Sequence, residues 1–153
     1  MAGEGLLPSG DFLLDTGIVI RHLRNDKRAH DLLDFLEDNG RISVSVITYL
    51  EILLGCQPRE EESTRLFFDR VQPLNVSQEV AYKAASLIKK YPSIFGKQIG
   101  RGTPDALIAA TAWQRQAKLV TLNTRQFAKV PITEVTICSI KQNSKDWTSH
   151  LKL

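Results

Sequence analysis

The sequence predicts an α/β fold in which helices cover both faces of a mostly parallel β-sheet. Short, continuously apolar runs, which are typical of buried strands, alternate along the chain with longer segments of helical periodicity. Phe12-Leu13-Leu14 is the first such run, and Leu119-Val120 begins a later one. Strands that alternate with helices favour parallel pairing, because each helix returns the chain to the same end of the sheet.

Length and composition indicate one globular domain. The 153 residues are 42% hydrophobic and 24% charged, which is ordinary for a folded protein and excludes a disordered chain. We expect a loose leader over residues 1–10, one domain over residues 11–140 and a polar tail over residues 141–153. The net charge of +3 permits an acidic partner such as nucleic acid but does not require one.

The sequence also bears on location. No run of 18 apolar residues offers a transmembrane helix, and the leader lacks the basic and apolar regions of a secretory signal. Cys56 and Cys138 lie far apart, match no zinc-binding spacing and are expected to stay reduced. These features predict a cytoplasmic protein with no membrane partner.

The first half of the domain is predicted to contain three strands and four helices. Apolar residues at spacings of three and four indicate an amphipathic helix from Lys27 to Asn39, which Asn39-Gly40 ends. The run from Val71 to Val76 is predicted as an edge strand, because Pro73 cannot donate a ladder hydrogen bond. Helices are expected over residues 16–24, 27–39, 45–55 and 60–70, and strands over residues 12–14, 42–44 and 71–76.

The second half is predicted to add three helices and the last two strands. Ser77 is a favoured cap for a helix whose apolar face includes Val80, Ala84 and Leu87. Residues 91–102 contain three glycines and are expected to form a mobile loop. Helices are then expected over residues 103–117 and 125–129, and strands over residues 118–121 and 135–139.

Asp15 follows the first strand directly. In parallel α/β sheets, ligands bind beyond the carboxyl ends of the strands, which is where this carboxylate is expected. Asp is also a favoured N-cap, so Asp15 could instead cap the helix that begins at Thr16. On this stretch alone the two interpretations are equally good.

Glu51 lies on a helix that is otherwise almost entirely apolar. With about 100° per residue, Thr48, Glu51 and Gly55 fall on one stripe. A helix that is apolar nearly all round is predicted to be buried, so Glu51 should point inward and must either pair with a basic residue or bind a cation. Gly55 on the same stripe suggests close backbone approach.

Asp105 and Asn123 are the remaining candidates. Asp105 follows Thr103-Pro104 at a helix start, where an acid also serves the helix dipole without any further function. Asn123 lies just past the strand that ends at Thr121, and a turn or cap residue is its simpler interpretation.

Together, Asp15, Glu51 and Asp105 are expected to converge. Three carboxylates repel unless a cation lies among them, and oxygen ligands favour Mg²⁺ or Mn²⁺, which suits metal-assisted phosphodiester hydrolysis.

Four stretches of this sequence resemble the PIN-domain family, and more narrowly the VapC-type toxins of toxin–antitoxin modules. They occur in the expected order and cover roughly Phe12 to Cys138. The four stretches are Leu13-Leu14-Asp15-Thr16, then Ser45-Val46-Ile47-Thr48-Tyr49-Leu50-Glu51-Ile52-Leu53-Leu54-Gly55, then Asp105-Ala106-Leu107-Ile108-Ala109-Ala110-Thr111-Ala112, then Leu119-Val120-Thr121-Leu122-Asn123-Thr124-Arg125-Gln126-Phe127.

The resemblance implies a flavodoxin-like α/β/α sandwich and a Mg²⁺- or Mn²⁺-dependent endoribonuclease. It also implies a homodimer and a small antitoxin that inserts near the active site. Asp15 and Asp105 are then metal ligands, and Glu51 is a ligand or orients water. Asn123 falls where many relatives have a fourth acid and others have Asn, which leaves the number of metal ions open.

Flanking residues complete the predicted site. The hydroxyls of Thr16, Thr48 and Thr121 lie beside the acids in sequence or on the same helical stripe, so we expect them to support the acids. Positive charges near the predicted site are candidates for RNA phosphate contacts, although a solvated basic surface explains them equally well. They are Lys97, Arg101 and Arg125.

Two other functions of α/β proteins fit this sequence poorly. A phosphoacceptor domain would need an acidic pair and a late lysine that Asp11 and Lys118 do not supply, since each lies at the wrong end of its strand. A haloacid-dehalogenase-type phosphatase would need Asp at position 17, which is Gly. A PIN fold that binds RNA or protein without turnover, and a housekeeping RNA-processing nuclease, both remain open.

Overall fold

The computed structural model describes residues 10–149 and 151 and contains one five-stranded sheet. All its strands run parallel, in the order β3-β2-β1-β4-β5. The prediction of an edge strand around Pro73 is confirmed, because β3 lies at one edge. The strands are β1 (Gly10–Leu14), β2 (Gly40–Ser45), β3 (Gln72–Leu74), β4 (Lys118–Thr121) and β5 (Ile137–Ser139).

Eight α-helices connect the strands in the described chain, together with one turn of 3₁₀-helix at Pro58–Glu60. No helix in residues 10–149 is long and apolar enough to cross a membrane. The helices are α1 (Thr16–Leu23), α2 (Lys27–Asn39), α3 (Val46–Gly55), α4 (Glu61–Arg70), α5 (Gln78–Lys90), α6 (Pro92–Phe95), α7 (Thr103–Arg115) and α8 (Thr124–Phe127).

The sheet separates two hydrophobic cores, which confirms the predicted three-layer α/β/α sandwich. Phe12 and Leu14 of β1 pack with helices α1, α2 and α4 on one face. Leu13, between them in sequence, packs with α5, α6 and α7 on the other. All three side chains are fully buried. The continuous apolar run thus reflects a strand that is covered on both faces.

The strand order places a crevice above β1 and β4. The chain moves from β1 outward through β2 and β3, and then crosses to β4 and β5 on the other side. Ligands in such sheets bind beyond the carboxyl ends at this switch point. Here the amide of Asp15 donates to the carbonyl of Val120 at 2.9 Å, so the exits of the two strands lie side by side.

At the opposite end of the sheet, β1 and β2 begin with two glycines in contact. Gly10 is the pairing partner of Gly40 in the parallel ladder. A Cβ atom on Gly40 would overlap the carbonyl group of Gly10. The first rung of the ladder therefore leaves no room for a side chain at position 40.

Two segments differ from the prediction. Residues 91–102 do not form one continuous loop, because α6 buries Ile94 and Phe95 in the second core, and the exposed part begins at Gly96. The C-terminal tail is irregular over residues 141–149, yet it buries Trp147 in the first core. Residues 1–9 of the predicted leader lie outside the described residues. The division into leader, domain and tail stays a prediction.

Candidate active site

Three carboxylates from three separate elements line one cleft at the carboxyl end of the sheet. Asp15 follows β1, Glu51 lies on α3, and Asp105 lies in the first turn of α7. The cleft has a volume of about 420 Å³ and opens to solvent. The structure therefore brings together the three acids that the sequence singled out. Its other lining residues are Thr16, Gly17, Ile20, Arg21, Thr121, Leu122, Asn123 and Gln142.

Asp15 caps α1 and also lines the cleft at the exit of β1. Its Oδ1 accepts from the backbone N–H of Thr16 at 2.8 Å, so it caps α1. Its Oδ2 accepts from the hydroxyl of Thr121 at 2.6 Å, a short hydrogen bond of the kind that a charged acceptor makes. These two bonds fix the orientation of the carboxylate at the base of the cleft.

A chain of two threonine hydroxyls holds Glu51. The hydroxyl of Thr16 donates to Oε1 of Glu51 at 2.6 Å, and the hydroxyls of Thr16 and Thr48 are 2.9 Å apart. Because a hydroxyl has one proton and an ionised carboxylate only accepts, Thr48 must donate to Thr16 in this arrangement. Thr48 is fully buried. The supporting role that the sequence suggested for both threonines has this geometric basis.

The prediction that α3 is buried nearly all round is wrong. Only Thr48 and Ile52 are buried, whereas the side chains of Leu50, Leu53 and Leu54 are 54%, 59% and 79% exposed. Gly55 has nothing within 4 Å of where a Cβ atom would lie, so the expected close approach there is also wrong. Glu51 lies between the buried and exposed faces, and its position follows from the hydroxyl chain.

A backbone contact before α7 positions Asp105. A Cβ atom on Gly102 would overlap the backbone of Phe95, so the residue before the helix is pressed against the end of α6. Thr103, expected as the N-cap, is instead the first helical residue, and its hydroxyl accepts from the amide of Gly100 at 2.8 Å. Asp105 still lies in the first turn, facing the cleft.

The acids influence one another electrostatically. Burial raises the pKa of Asp105, and the negative charges of Asp15 and Glu51 raise it further, to about 6. Burial also raises the pKa of Asp15, against the opposing hydrogen bonds from Thr121 and Thr16. Ionised together, the three groups repel one another, and a cation between them would remove that repulsion.

The donor set suits a hard divalent cation. Among the ion pairs formed within residues 10–149, none includes Asp15, Glu51 or Asp105. All the candidate ligands are oxygen atoms, which Mg²⁺ and Mn²⁺ prefer. In the described chain, however, no three acidic, histidine or cysteine side chains converge closely enough to hold one ion together. The acids share the cleft while standing apart.

Asn123 serves as both a cap and a lining residue. Its side-chain Oδ1 accepts from the backbone N–H of Gln126 at 3.3 Å and so caps α8. The backbone N–H of Asn123 donates to the hydroxyl of Thr121 at 3.0 Å. The side chain of Gln126 bonds to Asn123 and to the carbonyl of Ile94. This network ties the exit of β4 to α6.

The basic residues that line the cleft are not the ones expected from sequence. Lys97, Arg101 and Arg125 are exposed and do not line it. Arg21 does, and so does Gln142 from the C-terminal tail. The helical spacing of α1 could have revealed Arg21, four residues after Gly17, whereas nothing in the sequence indicates Gln142.

Comparison with known proteins identifies the family. The PIN domain model matches residues 12–132. Ribonuclease VapC19 of Mycobacterium tuberculosis is 35% identical over 120 residues, which are 78% of this chain and 94% of that protein. Ribonuclease VapC10 of the same organism is 34% identical over 117 residues, which are 75% of this chain and 84% of that protein.

Solved structures agree with the sequence relatives. A chain from a toxin–antitoxin complex of Klebsiella pneumoniae matches with a TM-score of 0.65 at 29% identity, over 82% of this chain and 98% of that one. A chain from the VapBC2 complex of Rickettsia felis shares the fold with a TM-score of 0.70 at 22% identity, over 83% and 96%. With its parallel sheet and its three acids in one cleft, this chain belongs to the PIN domain family, among relatives of the VapC ribonucleases.

Proposed function

We propose that this protein is a metal-dependent endoribonuclease that hydrolyses RNA phosphodiester bonds and acts as the toxin of a toxin–antitoxin pair. One observation carries the proposal: three carboxylates from separate elements line a single cleft, and none of them forms an ion pair within residues 10–149. Such an arrangement is electrostatically unfavourable unless it binds a cation. The relatives that are named ribonucleases support RNA as the substrate.

Asp15, Glu51 and Asp105 are the residues that would hold Mg²⁺ or Mn²⁺. The bound cation would neutralise phosphate charge and lower the pKa of water, so that water becomes the nucleophile at neutral pH. Thr121 and the hydroxyl chain from Thr48 through Thr16 keep the carboxylate oxygens pointed into the cleft.

Asn123 is proposed to complete the catalytic group with a neutral amide. Its side chain is fixed by Gln126 at the rim of the cleft, where it can orient a phosphate oxygen or a water molecule. Because an amide adds no negative charge, the proposed site has three anionic groups rather than four. Lys97, Arg101 and Arg125 stay candidates for contacts with more distant RNA phosphates.

An antitoxin partner and a homodimer belong to the same proposal. The structural relative from Klebsiella pneumoniae comes from a toxin–antitoxin complex. In this chain, the exposed side chains of Leu50, Leu53 and Leu54 give α3 an apolar face beside the cleft, and a face of this kind is typically covered by a protein partner. A substrate of cellular RNA implies that the protein acts in the cytoplasm.

The decisive experiment is an RNA cleavage assay on the protein purified free of any partner. We expect cleavage with Mg²⁺ or Mn²⁺, none with a chelator, and a loss of roughly 100-fold or more in Asp15→Asn. Asp11→Asn is the matched control, because Asp11 lies at the other end of β1 and outside the cleft. Wild-type protein that binds RNA but never cuts it would establish a binding module instead.

Metal binding has a readout that does not depend on activity. A ligand that binds only the folded state raises its stability, by about 2.7 kcal/mol at 100 times the dissociation constant. We expect Mn²⁺ to raise the melting temperature of the wild type and of Asp11→Asn, but not of Asp15→Asn. Equal responses in all three proteins would place the cation elsewhere.

A further inference from the structure

One wall of the cleft comes from a part of the chain outside the family model. The PIN domain match ends at residue 132, whereas Gln142 lines the cleft beside Arg21 and the acids. Gln142 follows β5 and Ile140, so the chain turns back over the carboxyl end of the sheet after its last strand. The tail is thus part of the site.

Arg28 of α2 holds this tail in place. Its guanidinium donates to the carbonyl of Gln142 at 2.7 Å and to that of Ser144 at 2.9 Å. The same group lies 4.6 Å from the centre of the Trp147 ring, which is 1% exposed. These contacts fix the chain from Gln142 to Trp147, and before it the amide of Ile140 donates to the carbonyl of Thr121 at 2.9 Å. Its backbone is therefore ordered, while its side chain is exposed.

Arg28 also holds the carboxylate of Asp26, the acid nearest to Arg21 among the ion pairs of residues 10–149. Asp26 accepts from Nε of Arg28 at 3.0 Å and from its terminal nitrogen at 2.7 Å, a two-point carboxylate contact. Arg21 forms only a long ion pair with the same carboxylate, at 3.9 Å, and makes no hydrogen bond to it. Arg21 is 39% exposed and faces the cleft, so its guanidinium is available to an anionic ligand.

We propose that Arg21 and Gln142 form an RNA subsite on the rim of the cleft, with Arg28 as its positioning residue. Arg21 binds the phosphate next to the one that is cut, and the side-chain amide of Gln142 hydrogen-bonds a neighbouring base, since it can both donate and accept. This subsite rests on the proposed function, and it lets the C-terminal tail influence which RNA is cut.

Arg21 does not lie in the cleft as a counter-ion of the three acids. It forms no ion pair with Asp15, Glu51 or Asp105 within the described residues, although it shares their cleft. A phosphate bound between Arg21 and a cation held by the acids would be contacted from two sides. Single-stranded RNA suits this open cleft, because its bases are free to meet Gln142.

Binding measured without metal tests Arg21 separately from catalysis. With a short single-stranded RNA and a chelator present, we expect Arg21→Ala to weaken binding by roughly 5- to 10-fold. The slope of log K against log salt should fall in magnitude by about 0.7, the value for one lost phosphate contact. Arg115→Ala is the control, since Arg115 ends α7 outside the cleft and carries the same charge.

Steady-state cleavage tests Gln142 and its support. We expect Gln142→Ala to raise KM by roughly 3- to 10-fold, the effect of one hydrogen bond, with kcat within about twofold. Asn143→Ala, an exposed neighbour, should match the wild type. Arg28→Ala should reproduce the change in KM and also shift the fluorescence of Trp147 to longer wavelength. If Arg28→Ala fails to fold, Gln142→Ala still decides the question.

The outcomes separate this inference from the proposed function. A wild type that binds RNA but never cuts it overturns the nuclease proposal and leaves the subsite to be judged on binding by Arg21→Ala and Gln142→Ala. A wild type that cuts RNA while both variants match it in binding and KM overturns the subsite alone. A wild type that neither binds nor cuts RNA overturns both.

Discussion

Two carboxylates next in sequence to residues of the second core have opposite electrostatics. Glu134 accepts hydrogen bonds from the hydroxyl of Tyr91 at 2.7 Å and from the ammonium group of Lys90 at 2.9 Å. Partial burial raises the pKa of Glu134, but the hydrogen bonds from Tyr91, Lys90 and Thr133 outweigh it and lower the pKa to about 2. Asp105 faces two other acids, and its pKa is raised to about 6.

The difference is between a carboxylate whose neighbours stabilise its charge and one whose neighbours oppose it. The environment of Glu134 stabilises its charge, so ionisation of this group strengthens the fold. Ionisation of Asp105 weakens the fold until something positive enters the cleft. A carboxyl in a cleft whose pKa is raised by burial and by nearby like charges is a candidate for a functional site. The predictions that follow test this contrast.

The largest expected effect is on catalysis. Asp105→Asn should lower RNA cleavage by roughly 100-fold or more, because it removes one of three anionic ligands while keeping the shape of the side chain. Glu134→Gln, the same chemical change in the paired acid, should leave cleavage within about twofold of the wild type. Cleavage lost equally in both variants would contradict the contrast.

The same variant should stabilise the metal-free protein. The pKa of Asp105 rises from 3.8 when unfolded to about 6 when folded, so stability is lost as the pH rises through this window. Removing the charge should raise the free energy of unfolding by about 1–3 kcal/mol at pH 8, and by almost nothing below pH 4. Urea denaturation in a chelator at the two pH values measures this. A destabilised variant at pH 8 would contradict it.

Glu134→Gln should have the opposite effect on stability. The folded pKa lies near 2 and the ordinary value at 4.5, so the stabilisation exists above pH 4.5 and is lost as the pH falls toward 2. With Lys90 more than half exposed, solvent screening reduces the gain, and we expect a loss of about 1–2 kcal/mol at pH 7. Thermal denaturation should show a smaller loss at pH 3 than at pH 7, because only part of the stabilisation remains one pH unit above the folded pKa.

His22 extends the contrast to a basic group. Burial, with His30 and Arg70 nearby, lowers its pKa to about 4, against the opposing charge of Asp34. Its Nδ1 has no hydrogen-bond partner among the described residues. Because the unfolded residue takes up protons from pH 6.5 downward, the fold should lose about 1 kcal/mol between pH 7 and 5.5. His22→Gln should flatten that dependence, and an unchanged slope would assign it to another group.

Strand and helix patterns were sufficient to predict most of the fold. The apolar run Phe12-Leu13-Leu14 predicts a strand that is covered on both faces, and Pro73 predicts an edge strand. The apolar residues of α3 were misleading, since its three exposed leucines look in sequence like core residues. A hydrophobicity pattern shows that a helix face is apolar, but it does not show whether the same chain or a partner covers that face.

Within the site, the acids were predictable and their surroundings were not. Asp15 follows a strand, Glu51 interrupts an apolar helix and Asp105 follows Thr103-Pro104 at a helix start, and each of these is a local signal. The shared hydrogen bonds of Thr16 depend on the packing of α1 against α3, which no spacing encodes. Gln142 reaches the cleft only because Arg28, more than a hundred residues earlier, holds the tail.

The glycine contact at the start of the sheet carries a consequence for the evolution of this chain. Gly40 pairs with Gly10 at the amino ends of β1 and β2, roughly 17 Å along the strand from Asp15. A one-residue slip of this pair would turn Leu14 to the other face and move Asp15 away from α3. A substitution at position 40 during evolution would therefore disturb the cleft from a distance, because a Cβ atom there would overlap the carbonyl group of Gly10.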